Sequence, residues 1–218
     1  MLLHLAETLA IPLRDRNAIL LAAGFAPVYG ERGLDDPALE QARAAVDVVL
    51  AGCEPFPALA VDRLWNIVAF NKGASGFLTS VDPKLLAAPN ALRIALHPQG
   101  LSPRIDNYAE WRAHLLHRLR HQIAASGDPD LESLHAELAA YPPPPGQMRG
   151  RLPKQDAPAI VVPLRLRADG ATLSFMSTIT VFGTPVDVTL SELAIETFFP
   201  ADAATAAALR GEKGPRDG

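Results

Sequence analysis

The sequence predicts an α/β domain of the α+β kind: a five-stranded antiparallel sheet covered by helices and preceded by N-terminal helices. Three observations carry this. Two short branched runs, Ala58–Val61 and Ile67–Phe70, flank a polar turn at Asp62-Arg63 and read as a β-hairpin. A block with helical spacing follows, to about Tyr141. The last third then changes to Val-, Thr- and Phe-rich runs divided by Gly turns.

The 218 residues suffice for one sizeable domain with appendages, and with 49% hydrophobic and 20% charged residues the chain has a large core. A net charge of −4 makes it a poor binder of duplex DNA by itself, because phosphate contacts need clustered Lys and Arg. No apolar run reaches the roughly 20 residues that span a bilayer. The N-terminus places an acid within its apolar part, unlike a signal peptide. Cys53 is the single cysteine, which leaves no internal disulfide and suits a reducing cytoplasm. A lone Cys after a helix end reads as inert rather than as a redox sensor.

In chain order, residues 2–10 and 14–23 carry Leu and Ala at helical spacing, divided at Pro12, and Gly24 stops the second helix. After a Pro/Gly connector, Asp35-Asp36-Pro37 opens a helix that runs to about Leu50 and ends at Gly52. The hairpin comes next. Short helices follow at Gly73–Thr79, Pro83–Ala87 and Ala91–Leu96. Asp106–Ala125 is the strongest helix, with Tyr108, Leu115, Leu116, Leu119 and Ile123 on one face and Trp111 at its margin. Asp128-Pro129 opens another, ending near Tyr141, and Pro142–Pro145 begins an exposed polar loop to about Asp156. Ala159–Arg167, Ala171–Val181 and Val186–Leu190 read as three meandering strands, turning at Ala168-Asp169-Gly170 and Gly183-Thr184-Pro185. Ser191–Thr197 and Ala201–Leu209 read as helical turns, and Gly211–Gly218 as a disordered tail.

Two strands, several helices and three strands is a PAS-like order. The hairpin residues Pro57-Ala58-Leu59, Val61-Asp62, Trp65, Val68 and Asn71 resemble the opening of the MmyB-like ligand-binding domain, a PAS-like module of XRE-type bacterial transcription regulators. His97-Pro98, the Trp111 helix and Asp187–Pro200 (DVTLSELAIETFFP) extend the resemblance over about Asp35–Pro200. Arg16–Gly24 (RNAILLAAG) resembles the end of the last helix of a helix-turn-helix domain. The resemblance implies three parts: 1–33, a remnant of that domain and a connector; 34–200, the ligand-binding domain; and 201–218, a terminal helix and tail. It implies DNA binding only through upstream helices not in this chain, a homodimer, and a bound fatty acid or similar lipid.

Candidate chemistry is sparse. His114, His117 and His121 share a helical sector with Glu110, and such spacing can bind zinc. The sector lies opposite the apolar face and adjoins Arg118, so it reads as a solvated face, and no metal site is assigned. Arg112 falls in the middle of the apolar face, where a guanidinium needs a carboxylate or carbonyls. A salt bridge serves that need; an anchor for a ligand carboxylate is the functional reading. Arg104 is a second candidate. Leu59, Val61, Phe70, Phe77, Leu92, Leu115, Leu119, Leu173, Phe175 and Phe182 supply apolar bulk that is either core or cavity lining.

Enzyme signatures are missing: there is no G-x-S-x-G, H-E-x-x-H, P-loop or G-x-G-x-x-G after a strand. No residue recommends a haem or flavin. Three readings stay open. The chain is a cytoplasmic ligand sensor for an apolar carboxylated molecule, a dimerisation module with a filled core, or an enzyme on a small apolar substrate.

Overall fold

The computed structural model describes residues 1–33, 36–145, 162–168, 170–183, 185 and 187–211. Helices α1 (Leu2–Thr8) and α2 (Leu13–Ala22) are divided at Pro12 as expected. Gly24 stops α2 in the left-handed region at φ +81, and the Phe25 N–H donates to the Leu20 carbonyl at 2.8 Å. Asp36 accepts from the Ala38 N–H at 2.8 Å and starts a 3-10 turn, Pro37–Leu39, that leads into α3 (Glu40–Gly52).

The hairpin is β1 (Ala58–Val61) and β2 (Ile67–Phe70). The Asp62 carboxylate ties its turn by accepting from the N–H groups of Leu64 at 2.8 Å and Asn66 at 2.9 Å. Asn71 then does two jobs. Its Oδ1 accepts from the Ala58 N–H at 2.9 Å and the Ala74 N–H at 3.0 Å, so one side chain closes β1 and caps α4 (Lys72–Leu78). Short helices α5 (Pro83–Leu86) and α6 (Ala91–Leu96) lead to α7 (Tyr108–Ser126) and α8 (Pro129–Ala140), the pair that forms the main helical layer. Asp82, Asn90 and Asp128 cap α5, α6 and α8 in the same way.

Strands β3 (Leu164–Ala168) and β4 (Ala171–Val181) form the second hairpin. The proposed strand start at 159–161, the loop from 146 to 156, Asp169 of the turn and the tail from 212 lie outside the described residues. The last strand differs from expectation. Val188–Ser191 is a single helical turn, α9, capped by Asp187, and the fifth strand is β5 (Ala194–Pro200), part of which read as a helix. Asp187 accepts from the Thr189 N–H at 2.9 Å, a local cap that overrides the strand preference of Val188 and Thr189. β5 pairs on both sides, with β1 and β4, and that central place outweighs the helical preference of Leu193 and Ala194. Helix α10 (Ala203–Leu209) follows.

The strand order is β2-β1-β5-β4-β3, with all neighbours antiparallel. This is the PAS-like sheet the sequence predicts. Register puts Phe70 beside Leu59, Leu59 beside Glu196 and Glu196 beside Ile179 in one row. Leu59, Val61, Phe175 and Phe198 face α4–α8 in the larger core. On the other face Ala58 and Ala60 give α3 room, and its Val46 and Leu50 pack there with Leu193 and Ile195. Among the described residues no helix is long and apolar enough to cross a membrane.

Candidate ligand-binding site

Between the sheet and the helical layer lies an apolar cavity of about 50 Å³. The sheet contributes Leu59, Ile67, Phe70, Leu164, Glu196 and Phe198; α4 contributes Ala74, Phe77 and Leu78; α6 and the turn after it contribute Ala91, Leu92, Ile94, Ala95, Leu101 and Ile105; α7 contributes Trp111 and Leu115. Two polar groups interrupt this wall. Trp111 is 3% exposed, and its Nε1 is buried without a hydrogen-bond partner among the described residues. Glu196 is 4% exposed and is ion-paired to Arg118 at 3.0 Å.

A second, open groove of about 1190 Å³ lies between α4, the β3–β4 hairpin and α10. Its floor includes Phe77, Leu173, Ala208 and Leu209, and among the described residues its charged wall residues are Lys72, Arg104 and Arg167 against the acid Glu54. Both arginines are held in place. Arg104 donates from Nε to the Arg167 carbonyl at 2.9 Å and from Nη1 to Ser80 Oγ at 2.7 Å. Arg167 pairs with Asp106 at 3.2 Å. Phe77 belongs to the walls of both spaces, and its ring stands edge-on to Phe175 and Phe198.

The structure thus sorts the sequence candidates. Phe70, Phe77 and Leu115 line the cavity, together with Leu59 and Leu92. Arg104, Phe77 and Leu173 line the groove. Leu119, Phe175 and Val61 are core beside the cavity, while Phe182 packs on the opposite face of the sheet. Arg112 touches neither space. Its Nη2 donates to the Ala139 carbonyl at 2.7 Å, in the last turn of α8, where a cation meets the negative end of the helix. The apolar face of α7 is wide enough to serve two neighbours, and Arg112 lies on the side turned to α8.

The histidine sector is less simple than a solvated face. His117 and His121 contact each other, Nε2 to Nε2 at 3.0 Å, while His114 stacks on Trp111 with ring centroids 5.4 Å apart. Burial, and next the nearby Arg118 charge, hold the His114 imidazole below its ordinary pKa. No group of three or more metal-ligating side chains occurs among the described residues. Arg118, assigned to the solvated side by helix rotation, instead reaches Glu196 and lays its guanidinium 4.1 Å from the centroid of the Trp65 ring. Sequence reasoning missed Glu196 because its segment read as a helix. Placed in a strand, an acid between Ile195 and Thr197 and two residues before Phe198 points to the inner face.

A PAS-like sheet holds an apolar cavity against its helical layer, an arrangement that suits a small ligand-binding domain. The chain belongs to the family described as the MmyB-like transcription regulator ligand binding domain, which it matches over residues 42–211. A crystal structure of the Rhodobacter sphaeroides LOV protein is similar at 12% identity and a TM-score of 0.36, covering 76% of this chain and 71% of that one. No curated protein matches the sequence.

Proposed function

We propose that this chain is the sensory part of a transcription regulator, and that its effector is an apolar molecule with an anionic head, a fatty acid or a close analogue. The observation that carries this reading is Phe77, shared between an apolar cavity and a groove with three cations. The acyl chain occupies the cavity and the carboxylate stays in the groove, where Arg104 offers a preoriented guanidinium. The reverse orientation would bring a carboxylate to Glu196, a like charge in a poorly solvated place.

The cavity must widen to accept such a chain. At about 50 Å³ it is below the size that takes even benzene, about 150 Å³, and far below the roughly 300 Å³ at which ligand pockets begin. Helix α4 is suited to yield: it has seven residues, two of them glycine, and carries Phe77 on its inner side. Displacement of α4 joins cavity and groove into one site.

In this reading α1 and α2 connect the sensor to DNA-binding helices, and the regulator acts as a homodimer. Leu5, Leu9, Leu21, Phe25 and Val28 on and after these helices are exposed, as a contact surface would be. Mass spectrometry of an organic extract of the purified protein tests the ligand. The expected result is a stoichiometric fatty acid in the wild type, reduced in Arg104→Ala. Extracts that stay empty, together with no uptake of added tetradecanoic acid, would reject the reading.

A further inference from the structure

Among the described residues Glu196 is the one charged side chain in the cavity wall, and the contacts that hold it lead out of the cavity. Its partner Arg118 stacks on Trp65. One turn further along α7, Gln122 holds the same indole: Trp65 Nε1 donates to Gln122 Oε1 at 2.9 Å. Gln122 Nε2 in turn donates to the Arg63 carbonyl at 3.0 Å. Helix α7 therefore grips the β1–β2 turn through two side chains spaced i, i+4.

That turn is strained. Trp65 has φ +68, a left-handed backbone that a bulky residue keeps only while its surroundings hold it there. The Arg63 side chain pairs with Asp128, lies 3.3 Å from Asp130 and reaches within 4.0 Å of Glu192. Glu192 is held by Arg14 of α2, with Nε to Oε1 at 2.6 Å and Nη2 to Oε2 at 3.0 Å. A continuous series of contacts, Glu196–Arg118–Trp65–Gln122–Arg63–Glu192–Arg14, thus joins the cavity wall to the N-terminal helices.

We infer that Glu196 is the residue through which occupancy of the cavity is read, and that this series carries the change to α2. A ligand that displaces Glu196 draws Arg118 off the Trp65 ring. The turn then relaxes from its left-handed conformation, Arg63 moves relative to Glu192, and the Arg14–Glu192 tie on α2 loosens. The strained turn is the two-state element that such coupling requires. The inference rests on the ligand-sensing reading, but its test needs no ligand.

Glu196 and Glu192 also lie four residues apart in the same chain, so a change could pass along the strand instead. Hydrogen exchange measured by mass spectrometry on the full chain separates the routes. In Glu196→Gln, amide exchange in α2, residues 13–22, should rise about two- to thirtyfold, the range that coupled positions produce, while α10 is unchanged. In a Gln122→Ala background the same substitution should add nothing in α2. A purely structural role for Glu196 would raise exchange in β5 and α7 and leave α2 as it was. Unchanged α2 exchange in Glu196→Gln, or an effect that persists with Gln122→Ala, would overturn the inference. Should Glu196→Gln fail to fold, Arg118→Lys keeps the charge and loses the stack on Trp65. It must then give the same α2-specific rise, and an unaltered α2 in that variant would equally overturn it.

Discussion

The Phe77 ring meets Phe175 edge to face with centroids 5.3 Å apart, and Phe77, in the walls of both spaces, is the partition between the apolar cavity and the basic groove. Truncating Phe77 removes that partition. Phe77→Ala is expected to cost about 3–5 kcal/mol, as for other buried aromatic rings, read from urea unfolding. It should also raise the fluorescence of an added apolar dye, because the cavity then opens to the groove. A loss below about 1 kcal/mol with no dye binding would show that the site closes over without Phe77.

Two glycines of α4 should respond in opposite directions. A Cβ on Gly73 would stand 2.6 Å from the Pro55 carbonyl oxygen, whereas one on Gly76 meets nothing within 4 Å. Gly76→Ala should therefore stabilise the protein by about 0.5–1 kcal/mol through helix propensity. Gly73→Ala should destabilise it by about 1–3 kcal/mol through overpacking against backbone. Thermal unfolding of the two variants checks the signs. If α4 must move to admit a ligand, Gly76→Ala should also slow uptake.

Arg104 and Arg112 should separate cleanly. Arg112→Ala removes a hydrogen bond to the Ala139 carbonyl, expected to cost about 1 kcal/mol, and should leave ligand affinity unchanged. Arg104→Ala removes a cation from the groove and should weaken a carboxylated ligand about tenfold, with little effect on its neutral alcohol. Calorimetric titration with tetradecanoic acid and tetradecanol measures both contrasts.

His114 sets a pH dependence whose sign follows from burial. Its folded pKa lies below the ordinary value, so between pH 6.5 and the folded value the unfolded chain takes up a proton and the folded chain does not. Stability falls as pH drops through that window and levels off below it. Unfolding free energies at pH 7.5 and pH 5 should therefore differ less for His114→Gln than for the wild type. Equal differences would mean that His114 titrates alike in both states.

Local signals made much of the fold legible. Asp62-Arg63 with its branched flanks, the Asp openings at Asp36 and Asp128, and the stop at Gly24 act within a few residues, and the structure has each of them. β5 was illegible for the opposite reason. The strand state of Ala194–Pro200 depends on β1 and β4 arriving on either side, which no local pattern of Leu193–Thr197 expresses. The site was half legible. Apolar residues such as Phe70, Phe77 and Leu115 could be named as lining. Helix rotation alone placed Arg112 at the centre of the apolar face and Arg118 outside it, because it cannot show which neighbour covers which part of α7. Glu196 became visible only with the register that sets it beside Leu59.

An apolar ligand held behind Phe77 must compete with any bulk that fills the cavity. Ala95 lines it from α6, and Ala95→Leu adds bulk comparable with the space available. Titration with tetradecanoic acid should show one site per chain in the wild type and at least about tenfold weaker binding in Ala95→Leu, while Met176→Leu on the outer sheet face binds as the wild type does. Saturable binding of equal strength in wild type and Ala95→Leu, or none in the wild type, would contradict the account.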